Sequence, residues 1–223
     1  SAALMVGMAL VLYRTMPAST TPPTKGSYWR LLGSVFQLYI SEPTLRVRGT
    51  FALLIFAAFS VLWTAMVLPL SAPPLSLSHT QIGLFGLAGV AGALAAARAG
   101  RLADQGLGNR TTGIALALLT LSWLPTAFVE SSLLAMVVGV VLLDFAVQAV
   151  HVTNQSLIFA ARPDAQSRLV GAYMCFYSVG SGAGAIAATY TYAHWGWVAV
   201  CILGATFSGI ALLYWMYLEL TSR

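Results

Sequence analysis

The chain has 223 residues, 59% of them hydrophobic and 8% charged, with a mean hydropathy of +0.83. A soluble domain carries about 25% charged residues, so this composition excludes an ordinary water-soluble fold. The net charge of +5 is not a nucleic-acid footprint, because the 11 Lys and Arg residues are spread among gaps between apolar runs and read as topology signals and headgroup contacts.

Residues 1–13 are apolar but too few to cross a bilayer, and Arg14 follows directly. That order suits the last part of a transmembrane helix reaching the cytoplasm, and residues 1–15 are expected to be such an end, the beginning lying outside the chain. Residues 16–47 are expected to form a cytoplasmic linker. Its 17–27 stretch is rich in Pro, Ser and Thr, and the aromatic and aliphatic 28–40 stretch suits a helix lying in the interface. Ser41-Glu42-Pro43 breaks that helix, and Pro43 is suited to open the next.

The remainder, 48–220, is predicted to be an all-α bundle of six transmembrane helices. Long uncharged runs lie at about 49–71, 80–97, 112–129, 131–157, 169–193 and 196–218. Each is close to the roughly 20 residues that cross the hydrocarbon core. The basic residues occupy alternate gaps: Arg14, Lys25, Arg30, Arg46 and Arg48 before the first run, Arg98, Arg101 and Arg110 after the second, Arg162 and Arg168 after the fourth, and Arg223 after the sixth. Basic loops stay in the cytoplasm. Segments 16–47, 98–111, 158–168 and the C-terminus are therefore expected on the cytoplasmic side of a bacterial inner membrane, and the turns near Pro73, Glu130 and His194 outside.

The second and fifth runs are rich in Gly, which marks faces of close helix packing. Tyr190, Tyr192, Trp195 and Trp197 flank the last outer turn, as an interfacial belt does. Cys175 and Cys201 lie inside predicted spans and read as small core residues. Asn109 and Asn154 open Asn-x-Ser/Thr triplets in positions that suit chance matches.

The fourth run carries Asp144, Gln148, His151 and Gln155 at spacings of four, three and four, with Asn154 beside them. Those intervals set them on one helical face. An acid at the bilayer centre costs about 2.5–3.5 kcal/mol on insertion scales, so the stripe must face a cavity or polar partners. One reading is a water-accessible pathway in which Asp144 binds a proton or a cationic substrate and His151 relays protons. The other is a hydrogen-bonded seam between helices.

Gly100, Arg101, Asp104 and Arg110 belong to the loop GRLADQGLGNR between the second and third runs. A Gly-x-Leu-Ala-Asp loop at this place resembles the repeated cytoplasmic signature of the major facilitator superfamily. EPTLR at 42–46, the run DFAVQAVHVTNQSLIFAARPDAQSRLVGAYM at 144–174 and Gly196-Trp197 are similar to that family too, the long run to the tenth and eleventh helices of bacterial drug-exporter-like permeases. Gln105 departs from the usual Arg after the loop's Asp, and the closing basic run is reduced to Arg110.

The resemblance implies that the six runs are helices seven to twelve of a permease, with its first half absent. It implies proton-coupled export of a small molecule by alternating access, with this half inactive alone and acting beside the other half or a second copy. The first and fourth spans would line the central cavity, making Ser60, Trp63 and Thr64 candidate wall residues; simple packing is their other reading. The second and fifth spans would meet the opposite half, and Asp104 and Arg168 would help to hold one state. The alternative is an orphan membrane subunit that regulates a full permease without transporting. No Gly-x-x-x-x-Gly-Lys loop and no His-Glu-x-x-His motif occur, so neither ATP drive within the chain nor a zinc enzyme is expected, nor any cofactor or metal. The expected contacts are the lipid bilayer, the small-molecule substrate and the proton, without nucleic acid.

Overall fold

The computed structural model describes residues 2–15, 33, 37, 39–161 and 166–221. They fall into two compact units, Ser1–Gly33 and Ser34–Arg223. In the first, α1 (Ala2–Thr15) ends as Thr15 Oγ1 donates to the Val11 carbonyl at 2.8 Å. Residues 16–32, most of the expected interfacial helix, Arg162 and Arg223 lie outside the described residues.

The second unit is helical throughout its described regular elements. Helix α2 (Pro43–Ala65) starts on Pro43, where a missing N–H costs nothing, and α3 (Val67–Ser71) extends it. A reciprocal cap between Ser78 and Gln81 opens α4 (His79–Gly83). A 3-10 turn then leads into α5 (Ala88–Leu102). A π-helical turn, Ala103–Leu107, joins it to α6 (Gly108–Leu121) and the short α7 (Trp123–Ala127). Helix α8 covers Leu133–Ala161 and α9 covers Gln166–Thr221.

Four continuous helical stretches are apolar and long enough to cross a membrane: Pro43–Ser71, His79–Ala127, Leu133–Ala161 and Gln166–Thr221. Two of them, of 49 and 56 residues, would run to roughly 75 Å or more as straight helices at about 1.5 Å per residue, over twice a hydrocarbon core of about 30 Å. Each contains one glycine in the left-handed region, Gly106 (φ 78°) and Gly196 (φ 72°), a conformation that costs glycine little. The chain reverses there, so the four stretches make six spans.

Cross-contacts give their directions. Gly49 faces Phe176, Gly180 faces Leu53 and Gly184 faces Ala57, so the first and fifth spans run parallel. Asn154 bonds the Arg48 carbonyl and Asp144 bonds Trp63, so the fourth runs opposite to the first. Gly92 faces Gln148 and Gly100 faces Val152, so the second and fourth are parallel. Trp197 bonds the Thr126 carbonyl while Trp215 bonds that of Asn109, so the third and sixth are antiparallel. Residues 48, 109, 154 and 215 meet at one end. That end also carries Arg98, Arg101 and Arg110, since the parallel second and fourth spans both finish there.

The glycines sort by neighbour. A Cβ on Gly180 or Gly184 would collide with the backbone carbonyl of Leu53 or Ala57, so the fifth span lies directly on the first. Gly83, Gly86, Gly171 and Gly182 have open space instead. The glycine faces of the second and fifth spans are thus partly spent inside this unit: Gly92, Gly180 and Gly184 pack within it, Gly89 borders Asp144, and Gly83, Gly86, Gly171 and Gly182 lie on open faces.

Candidate functional site

Asp144 sits in the middle of α8, 4% exposed. Trp63 Nε1 on the first span donates to its Oδ1 at 3.2 Å. The Asp144 Oδ2 lies 3.7 Å from where a Cβ on Gly92 would stand and 4.0 Å from one on Gly89. The carboxylate is therefore held among the first, second and fourth spans, with α5 close enough to touch because position 92 has no side chain. The same absence admits Gln148, whose Cγ would be 2.9 Å from a Gly92 Cβ.

One to two turns toward the basic end, His151 Nδ1 and the Tyr173 hydroxyl lie 3.0 Å apart and share a hydrogen bond. The Phe56 ring stands edge-on to the imidazole at 5.1 Å. Next, Asn154 Nδ2 donates to the Arg48 carbonyl at 3.3 Å. The stripe thus touches the first, second and fifth spans in turn. Gln155 is half-buried and makes no side-chain hydrogen bond among the described residues.

Trp63 reaches Asp144, whereas the other two first-span candidates do not. Ser60 is half-buried without a hydrogen bond among the described residues. Thr64 is exposed and lines an open cavity beside Ile186, Thr189, Tyr190 and His194 of α9.

A polar network at the basic end had no signal in the stripe's spacing. Arg48 donates from Nη1 to Thr112 Oγ1 at 3.2 Å and from Nη2 to Asn109 Oδ1 at 3.1 Å. Asn109 Nδ2 donates in turn to Glu219. Arg48 and Asn109 together tie the first, third and sixth spans, and the bond from Asn154 adds the fourth. Arg48 looks like one more topology charge in the sequence, and Asn109 like a chance triplet. The available hint was that Arg48 lies past Pro43, inside the helix that the proline opens.

The signature loop is arranged otherwise. Gly100 is half-buried against Val152. Arg101, Asp104, Arg110 and Arg168 are all exposed. Arg101 Nε donates to the Ala97 carbonyl of its own helix at 3.3 Å. No ion pair joins these four among the described residues, and Asp104 and Arg168 do not form a bonded pair.

Residues 49–223 match the Major Facilitator Superfamily. The chain is 46% identical over 212 residues, 95% of its length, to "Uncharacterized transporter YgaY" of Escherichia coli O157:H7. The chain belongs to the major facilitator superfamily. A second relative, "Probable transporter SCO4007" of Streptomyces coelicolor, is 29% identical over 154 residues, 68% of this chain and 35% of that protein. The chain spans 54% of the length of YgaY. Family membership and the apolar spans make this major facilitator chain a multi-pass membrane protein.

Proposed function

We propose that this major facilitator chain supplies one wall of a small-molecule transport pathway, working by alternating access and coupled to protons in the direction of export. The observation that carries the reading is Asp144, a carboxylate buried in the middle of a membrane span whose one hydrogen bond among the described residues comes from Trp63. An acid so placed is expensive to keep in a membrane and marks ion or substrate paths. In the proposed cycle Asp144 exchanges a proton for the substrate, and His151 with Tyr173 passes protons between Asp144 and the basic end. Rocking of two six-helix bundles exposes the site to one side at a time. The basic end faces the cytoplasm of a bacterial inner membrane, and the Arg48–Asn109–Glu219 network keeps this bundle rigid as it rocks.

A twelve-helix transporter carrying this chain as its second half, reconstituted in vesicles with an internal pH dye, tests the reading. A panel of cationic and neutral small molecules is screened for substrate-driven proton movement. Asp144→Asn is expected to abolish that movement while leaving assembly intact; unchanged coupling overturns the role of Asp144. The six-helix unit reconstituted alone is expected not to transport, and uptake by it would overturn the half-transporter reading.

A further inference from the structure

Two cavities meet at the basic end, away from Asp144. One, of about 250 Å³, is lined by Arg98, Arg101, Leu102 and Gln105. The three polar residues follow at spacings of three and four, which sets them on one face. All three are exposed, and neither arginine has a carboxylate partner among the described residues. The second cavity, of about 190 Å³, shares Arg98 and Leu102 with the first and runs between α5, α6 and α8. Its remaining walls are almost wholly apolar, with Ile114, Leu118 and Phe145 the largest. Ile114 is 73% exposed, so this groove opens onto the outer surface of the bundle, where lipid chains lie.

We propose that the joined cavities bind one anionic phospholipid. Its phosphate sits on Arg98 and Arg101, Gln105 donates to headgroup oxygens, and one acyl chain lies along Ile114, Leu118 and Phe145. Guanidinium groups match phosphate oxygens in a forked geometry. The two arginines lie at the end of the apolar span, the depth at which headgroups sit. Free phosphate would use the first cavity only and leave the groove empty. The shape that uses both is an anion with an apolar tail. Asp104, the acid in the adjoining turn, does not line either cavity.

Native mass spectrometry of the purified chain, titrated with phosphatidylglycerol, with phosphatidylcholine of the same acyl chains, or with inorganic phosphate, tests this. One phosphatidylglycerol is expected to be retained in preference to phosphatidylcholine. The R98Q/R101Q variant is expected to lose about 25-fold in phosphatidylglycerol affinity, about fivefold for each arginine removed near the membrane surface. R98K/R101K should keep most of that affinity, and Arg110→Gln, the loss of one charge elsewhere in the basic end, should change it less than twofold, against about fivefold for Arg98→Gln or Arg101→Gln alone. Both arginines are exposed, so the variants are expected to fold, and unchanged circular dichroism checks this. Equal retention of the two lipids, a loss on Arg110→Gln equal to that on Arg98→Gln or Arg101→Gln alone, or inorganic phosphate binding as tightly as phosphatidylglycerol would overturn the proposal.

Discussion

The stripe on the fourth span and the loop at 100–110 are the two conspicuous polar segments of an apolar chain, and the bundle treats them differently. Asp144, His151 and Asn154 each find a partner on a neighbouring span: Trp63, Tyr173 and the Arg48 carbonyl. Arg101, Asp104 and Arg110 find none on another element among the described residues. The physical difference is the solvent. A polar group inside hydrocarbon must be satisfied by protein or by enclosed water. A charge at the headgroup level is satisfied by water and lipid, and is free to meet a partner that comes and goes. The stripe is thus part of the fold, and so is Asn109 at the end of the loop, while the loop's charged side chains are available for contacts outside this unit.

The sharpest test of that contrast is Gly92, on the span that leads into the loop but facing the stripe. Gly92→Leu would drive a side chain into Gln148 and toward Asp144. Overpacking of this kind costs about 3 kcal/mol, and the unfolding midpoint in mixed micelles should fall accordingly. Gly86→Leu, placed on the same span in open space, should change it little. Equal effects of the two would break the picture of α5 pressed onto the acid.

Arg48→Ala should come next. It strips Asn109 and Thr112 of a charged donor, and hydrogen bonds to charged groups are worth about 1.5–3 kcal/mol. A loss of about 2 kcal/mol in the same assay is expected. Arg46→Ala, two residues earlier and exposed, should cost almost nothing, although the sequence presents the two arginines alike.

Trp63→Phe keeps an aromatic ring but removes the pyrrole part of the indole, and with it the N–H that reaches Asp144. The expected loss is about 1.5 kcal/mol, the lower end for a hydrogen bond to a charged group. In the twelve-helix transporter the same change should shift proton coupling without abolishing it. Asp144→Asn should abolish it. If the two variants behave alike, Trp63 is essential to coupling and more than a support for the carboxylate.

Much of this arrangement was legible before any coordinates. Alternate basic gaps marked which ends gather, and the four-three-four spacing put Asp144 and its neighbours on one face. The six crossings emerged from run length and charge, with the chain turning back at Gly106 and Gly196. What stayed hidden were pairings between distant positions. Nothing local to Arg48 names Asn109, 61 residues on, and nothing near His151 names Tyr173. Periodicity reports which face a residue shares; only the packing of spans reports what that face meets. The role of the glycines was hidden likewise. Gly180 and Gly182 look alike in sequence, yet one touches Leu53 and the other faces open space.

The smallest expected effect falls on the loop. Asp104→Asn combined with Arg110→Gln removes one charge of each sign, so the net charge is unchanged. Neither side chain has an ion pair among the described residues, and exposed charges of this kind contribute about 0–1 kcal/mol. The unfolding midpoint of this unit should move by less than about 0.5 kcal/mol on that account. In the twelve-helix transporter the same double change should alter transport rate, because a charge unpartnered here is the kind that a second bundle engages in one state and releases in another. A stability loss in the isolated unit as large as that of Arg48→Ala would mean that the loop is built into this fold. A rate unchanged in the complete transporter would mean that its charges serve orientation alone.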